Sequence, residues 1–156
     1  MKFEKISWEI AHSNGLNEKD YEAIGLPKRA TTYSAGYDFF IPYDIILAAG
    51  SSMVIPTGIK CDLDPDKVLE IYPRSGLGFK KRMRLANTVG IIDSDYYNNE
   101  NNEGHIMVKI CNEGDSDIVL HAGDAFCQGV IKRYYVVDND IPTNQTRTGG
   151  FGSTDK

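Results

Sequence analysis

His105-Ile106-Met107-Val108-Lys109-Ile110-Cys111 is followed by Asn112-Glu113-Gly114-Asp115, then by Asp117-Ile118-Val119-Leu120, His121-Ala122-Gly123-Asp124 and the run from Phe126 to Val137. Short apolar stretches thus alternate with polar, glycine-bearing turns. Their Val, Ile and Phe content suits pleated strands, and most of the runs are too short for ordinary helices. The same cadence extends toward the N-terminus. Phe3–Ile10, Tyr37–Ile41, Met53–Ile55, Val68–Tyr72 and Val89–Ile92 are further runs, with Ala48-Ala49-Gly50 and Asp64-Pro65-Asp66 among the turns. Many short strands joined by turns predict an all-β sandwich or barrel.

Helical patterning is weak. Asn17–Ile24 predicts one or two turns, and Ser75 is placed to cap a second short helix. The polar stretch Asn98–Gly104 breaks strand character and is expected to form an exposed hairpin tip. Apolar character fades from Asp138. Residues 1–146 therefore read as one domain, and the glycine-rich residues 147–156 as a flexible tail.

Composition narrows the function. A chain of 156 residues fits one compact domain, and a net charge of −5 argues against a general nucleic-acid binder. A small anion needs only a local positive pocket. The basic run Lys80-Lys81-Arg82 with Arg84 reads as a solvated face. Cys61, Cys111 and Cys127 are odd in number and match neither a disulfide framework nor a zinc site, so reduced core thiols are expected. His12, His105 and His121 are scattered, which argues against a transition-metal site. No apolar run has signal-peptide or membrane-spanning length, so a soluble cytoplasmic protein with no membrane partner is expected.

Three segments carry chemistry. In Pro73-Arg74-Ser75-Gly76-Leu77-Gly78 a cation, a hydroxyl and small residues follow a strand. That is a phosphate grip or a plain capped turn. In Gly90-Ile91-Ile92-Asp93-Ser94-Asp95-Tyr96 two carboxylates follow an apolar strand. If the strand continues, Asp93 and Asp95 share a face, as a base or metal site or as ordinary turn aspartates. In Arg147-Thr148-Gly149-Gly150-Phe151-Gly152-Ser153-Thr154 glycines, hydroxyls and Arg147 suit phosphate, and Phe151 offers a stacking face.

In this order the segments resemble the motifs of the trimeric dUTP pyrophosphatase family. Ala35-Gly36-Tyr37-Asp38-Phe39 is similar to the first motif, Pro73–Leu77 to the second and Asn87–Tyr96 to the third. Gly123-Asp124-Ala125-Phe126-Cys127-Gln128 resembles the fourth and Arg147–Thr154 the fifth, with Ile55-Pro56-Thr57-Gly58-Ile59 also matching. The resemblance implies a jelly-roll-like β-barrel, a homotrimer with active sites at subunit interfaces, and hydrolysis of dUTP to dUMP and diphosphate. Such an activity limits uracil incorporation into DNA and supplies dUMP for dTMP synthesis.

By the same resemblance Asp93 is the catalytic carboxylate that activates water. Arg74, Ser75, Gly76, Gln128, Arg147 and Ser153 bind phosphates. Asn87, Gly90, Ile91, Ile92 and Met107 read uracil, Tyr96 underlies the deoxyribose and Phe151 stacks on the base. Mg2+ is held by triphosphate oxygens and water, with Asp38 reaching it only through water. The chain departs from the family pattern after Tyr96, where Tyr97 and the Asn-rich insertion lengthen the hairpin and suggest a protein partner. It departs again at Ala125-Phe126-Cys127, where a packing change is expected. The rival readings are a dCTP deaminase and a regulatory, partner-binding protein on the same fold.

Overall fold

The computed structural model describes residues 1–141. The chain runs β1 (Lys2–Lys5), α1 (Trp8–Ser13), α2 (Glu18–Ala23), β2 (Lys28–Arg29), β3 (Tyr37–Phe40), β4 (Ile45–Leu47), β5 (Ser52–Pro56), β6 (Ile59–Asp62), β7 (Lys67–Pro73), α3 (Ser75–Lys81), β8 (Met83–Leu85), β9 (Gly90–Asp93), a 3-10 turn (Ser94–Tyr96), β10 (Met107–Asn112), β11 (Ile118–Leu120) and β12 (Ala125–Arg133). A five-stranded sheet has the order β2-β3-β12-β7-β9, a three-stranded sheet the order β5-β10-β8, and β1-β6 and β11-β4 form pairs. Each ladder among the described residues is antiparallel. The all-β, jelly-roll-like expectation is borne out.

The sheets are held by one shared core. Phe39, Ile55, Leu69, Ile71, Ile110 and Phe126 come from five strands and are at most 1% exposed. Burying each such side chain stabilises by roughly 1.5–3 kcal/mol, whereas strand propensities span only about 1 kcal/mol. Core burial therefore outweighs local preference. β10 shows how the pattern is made: Val108, Ile110 and Asn112 point inward, while Lys109 is exposed. β12 departs from alternation, since Phe126 and Cys127 are both buried. A register shift between Ala125 and Cys127 turns both inward. In the same strand Gly129 is wedged among Leu69, Phe39 and Ile71, where a Cβ would lie 2.7 Å from Leu69 Cδ1.

Local expectations fare unevenly. Asn17 caps α2 by accepting from the Asp20 N–H at 2.8 Å, as the sequence predicts. The Phe3–Ile10 run does not form one strand. Only Lys2–Lys5 pairs with β6, and Ser7 then starts α1, its hydroxyl accepting from the Ile10 N–H. Ser75 is not a cap. Arg74 occupies the N-cap position of α3, and Ser75 is the first helical residue. The cysteines are free; Cys61 and Cys127 are buried and Cys111 partly so. Burial pushes the Cys61 thiol up to about 12, so it stays protonated and unreactive. Among the described residues no helix is long and apolar enough to cross a membrane.

His105 is fully buried. The Gly58 N–H donates to its Nε2 at 2.9 Å, which assigns the proton of the neutral ring to Nδ1. That Nδ1 has no hydrogen-bond partner among the described residues. Burial pushes the pKa of His105 down to about 4, with the Glu103 charge opposing. Between about pH 6.5 and 4 the unfolded chain takes up a proton that the folded ring refuses. The stability from the neutral ring is thus fully present above pH 6.5 and lost as pH falls through this window, by on the order of 3 kcal/mol. His105→Gln is expected to flatten that part of the stability–pH curve in urea denaturation. An unaltered slope would show that other groups carry the acid sensitivity.

Candidate active site

Two groups of side chains stand out, and they sit apart. The first surrounds a cavity of about 390 Å3 between β9 and β10. Asn87, Gly90, Ile91, Ile92, Tyr96 and Met107, all singled out in the sequence, line it. Ile71, Leu85, Ile106, Val108 and Lys109 line it too, and sequence reasoning missed them. Part of their signal was available for Ile71 and Val108, which pair with or neighbour the residues singled out in the sequence.

The cavity is shaped by backbone. Gly90 pairs with Ile71 across the β7–β9 ladder. A Cβ on Gly90 would lie 3.1 Å from the Ile71 Cβ, so a larger residue would lift β9 off β7. β9 is an edge strand of its sheet, which turns a row of backbone N–H and C=O groups outward. The turn leading into it holds Thr88 at φ 67. A β-branched residue there is strained by roughly 1–3 kcal/mol, a cost tolerated at sites where geometry matters. The Val89 N–H closes the turn on the Asn87 carbonyl at 2.7 Å.

The second group gathers at the far end of β3, β7 and β12. Arg74 Nε lies 3.3 Å from Asp38 Oδ1, with the Asp38 side chain largely buried and Arg74 more open. Gln128 stands opposite Asp38 on one side and Tyr72 on the other. Its Nε2 donates to the Pro73 carbonyl at 3.4 Å. Gly36 packs so closely on Gln128 that a Cβ there would meet Oε1 at 2.4 Å. Ser75 and Gly76 open α3, where the first N–H groups have no helical carbonyl behind them and favour an anion. A cation paired with a carboxylate, a side-chain amide and helix-start donors together make a small polar cradle.

Asp93 ends β9, and Asp95 lies in the 3-10 turn, so the two do not share a strand face as the sequence suggested. Asp93 is opposite Val68. Pro73, beside Arg74, is five residues further along β7, or roughly 16 Å at the usual strand rise. None of Asp38, Arg74, Ser75, Gly76 or Gln128 lines the cavity. Arg147, Phe151 and Ser153 lie outside the described residues, as does the expected boundary at 146–147.

No group of three or more His, Cys, Asp or Glu suited to a metal ion occurs among the described residues. Asp38 is the carboxylate nearest the cradle's cation and is paired with it. Such a donor set fits Mg2+ carried in on phosphate oxygens and waters, not an ion caged by protein.

The Asn-rich segment is not the exposed tip the sequence suggested. Asn99, Gly104 and His105 are buried. Asn99 Oδ1 accepts from the N–H groups of Asn101 and Asn102 at 3.1 and 3.2 Å. Glu103 accepts from the Ser7 N–H at 3.0 Å and pairs with Lys60 at 3.1 Å. Burial opposes its ionisation, yet Ser7 and Lys60 hold its carboxyl below the usual range. The asparagines fold the loop by binding their own backbone, a habit that makes them common in turns.

The dUTPase family pattern matches residues 22–155. The deoxyuridine 5'-triphosphate nucleotidohydrolase of Lactococcus lactis is 43% identical over 132 residues, covering 84% of this chain and 88% of the relative. That of Tolumonas auensis is 37% identical, covering 83% and 86%. A crystal structure of dUTPase from Streptococcus mutans superposes with a TM-score of 0.73 at 37% identity, covering 89% of this chain and all of that one.

Gly104 closes the Asn-rich loop at φ 82, and a Cβ there would lie 2.6 Å from the Tyr96 carbonyl oxygen. Gly123 has a similar φ of 87 and open space around it. Gly123→Ala should cost only the backbone penalty, about 1–2 kcal/mol. Gly104→Ala should add a clash of roughly 1–3 kcal/mol on top. Denaturation midpoints of the two variants check this; equal losses would mean that the loop yields freely.

Proposed function

The chain belongs to the dUTPase family, and from that we propose that it hydrolyses dUTP to dUMP and diphosphate. The observation that carries the reading is the cavity on β9 and β10, lined by six residues expected to read base and sugar. Uracil offers acceptor, donor and acceptor along one edge. The outward backbone edge of β9 and the start of β10 are suited to answer it. Cytosine reverses part of that pattern, leaving buried polar groups unpaired, and such mismatches discriminate strongly. A slot walled by backbone at Gly90 leaves little space for the thymine methyl. Tyr96 underlies the deoxyribose and opposes a 2′-hydroxyl.

For the chemistry, Asp93 takes a proton from a water that attacks the α-phosphorus. The bond from the α-phosphorus to its bridging oxygen breaks, and diphosphate leaves. Arg74, Ser75 and Gly76 bind the phosphates and neutralise charge as it grows on the leaving oxygen, with Gln128 beside them. Mg2+, when bound, would be held by triphosphate oxygens and waters, with Asp38 reaching it only through water, and would supply positive charge against the phosphates. Arg147 and Ser153 extend the phosphate grip, and Phe151 stacks on uracil, worth roughly 1–3 kcal/mol. A nucleotide enzyme of this kind operates in the cytoplasm. A protein partner at the Asn-rich loop would meet its exposed residues Asn98, Glu100 and Asn101.

The separation of the two groups supports a shared site. The phosphate cradle and Asp93 lie far apart along β7 in one chain; Asp93 directly follows Ile92 of the cavity wall, whereas no cradle residue lines the cavity. A trimer in which one subunit's cradle faces its neighbour's β9 brings them to one substrate. Its symmetry repeats the contact three times.

Diphosphate release from dUTP, dTTP, dCTP and UTP tests the activity, with dUTP expected to dominate; ammonia release from dCTP would favour deamination instead. Asp93→Asn should bind dUTP nearly normally and lose turnover by about 10²–10⁴-fold. Mixed trimers test the shared site. Asp93→Asn and Arg74→Ala subunits, each nearly inactive alone, should regain about a quarter of the sites when co-refolded one to one, since one subunit then supplies each missing group. No recovery would place both residues in one subunit's site.

A further inference from the structure

Sugar selection demands a rigid floor. Deoxyribose and ribose differ by one oxygen, so a ring that shifts by a fraction of an ångström admits either. Tyr96 is 6% exposed and lines the cavity. Its aromatic ring turns about two single bonds, and burial alone does not set both. Something must hold the far end of the ring.

The Asn-rich loop does so. Asn102 Nδ2 donates to the Tyr96 hydroxyl at 2.7 Å, and that hydroxyl donates to the His105 carbonyl at 3.0 Å. Asn102 is itself locked, since its Oδ1 accepts from Asn99 Nδ2 at 2.7 Å and from the Gly104 N–H at 3.1 Å. Asn99 Nδ2 also donates to the Tyr96 carbonyl at 2.8 Å. The tyrosine is thus gripped at its backbone and at its hydroxyl by one loop. A loop that served only to connect strands would not need two side-chain amides, one of them buried, on a single tyrosine.

We propose that Asn102 is a positioning residue for sugar discrimination: it fixes the Tyr96 ring so that the nucleotide's 2′ carbon meets a wall. The inference rests on the dUTP-hydrolysing reading and deepens it. Asn102 does not touch the substrate and acts through Tyr96. Its loss should therefore relax the choice between dUTP and UTP more than it slows the chemistry.

The test is steady-state hydrolysis of dUTP and UTP by the full-length protein, Asn102→Ala, Tyr96→Phe and the double variant. Asn102→Ala is expected to lower the dUTP-to-UTP ratio of kcat/KM about tenfold, as for loss of one well-aligned hydrogen bond, mainly through KM. Tyr96→Phe keeps the ring but removes the hydroxyl, and should give a similar fall. The double variant should be no worse than either single one, because both remove the same contact. If kcat/KM for the two nucleotides falls in proportion while the melting temperature drops, Asn102 is merely structural and the proposal is overturned. Should Asn102→Ala fail to fold, Asn102→Ser, whose shorter side chain does not reach the Tyr96 hydroxyl, decides: an unchanged ratio overturns the proposal, and a reduced one supports it. A parent protein that leaves dUTP intact sinks the underlying activity and this inference together, which is distinguishable from an active parent with an unmoved ratio.

Discussion

The register of β9 on β7 governs the molecule. Gly90 sits over Ile71 so closely that a Cβ would press on the Ile71 Cβ at 3.1 Å, and from that contact the strand runs outward along the sheet edge. The cavity, the exposed backbone edge and the position of Asp93 all follow from it. A slip of one residue would turn Ile92 from its present face and point the strand's inner residues to solvent. The core secures this register from below, because Leu69 and Ile71 are buried by Phe39 and Phe126 from neighbouring strands. Substrate-reading geometry is therefore a by-product of core packing, not an addition to it.

Much of this was legible in the sequence. The alternation in β7 and β10 and the turns between runs carried the all-β reading, since burial on one face leaves a period of two. Asn87, Gly90, Ile91, Ile92, Tyr96 and Met107 line one cavity, and five of these six are close in sequence, where neighbours along the chain are also neighbours in space. Arg74 beside Asp38 is a harder case, joined by strands far apart in the chain, and only the motif pattern pointed there.

What was not legible has physical reasons. β4 and β8 are three residues long, and no periodicity can be read from so few. The helix at Trp8–Ser13 hid inside an apolar run, and a single capping contact at Ser7 decided it. Ser75 was misplaced by one position because a helix starts where backbone angles change, not where a hydroxyl stands. The Asn-rich segment looked like a solvated tip since polar residues usually face water. Here their amides satisfy the loop's own backbone, which permits burial. The wide gap between Asp93 and the phosphate cradle had no sequence signal at all.

Glu103 joins the N-terminal segment to the asparagine loop. It binds the Ser7 N–H, and Lys60 bridges it to Asn98. The first residues precede the matched region, and the loop lies within it. Each is anchored through the other, and both lean on the strand that holds Lys60. They are thus mechanically coupled: loosening the N-terminal segment removes an anchor from the asparagine loop, and loosening the loop removes one from the segment.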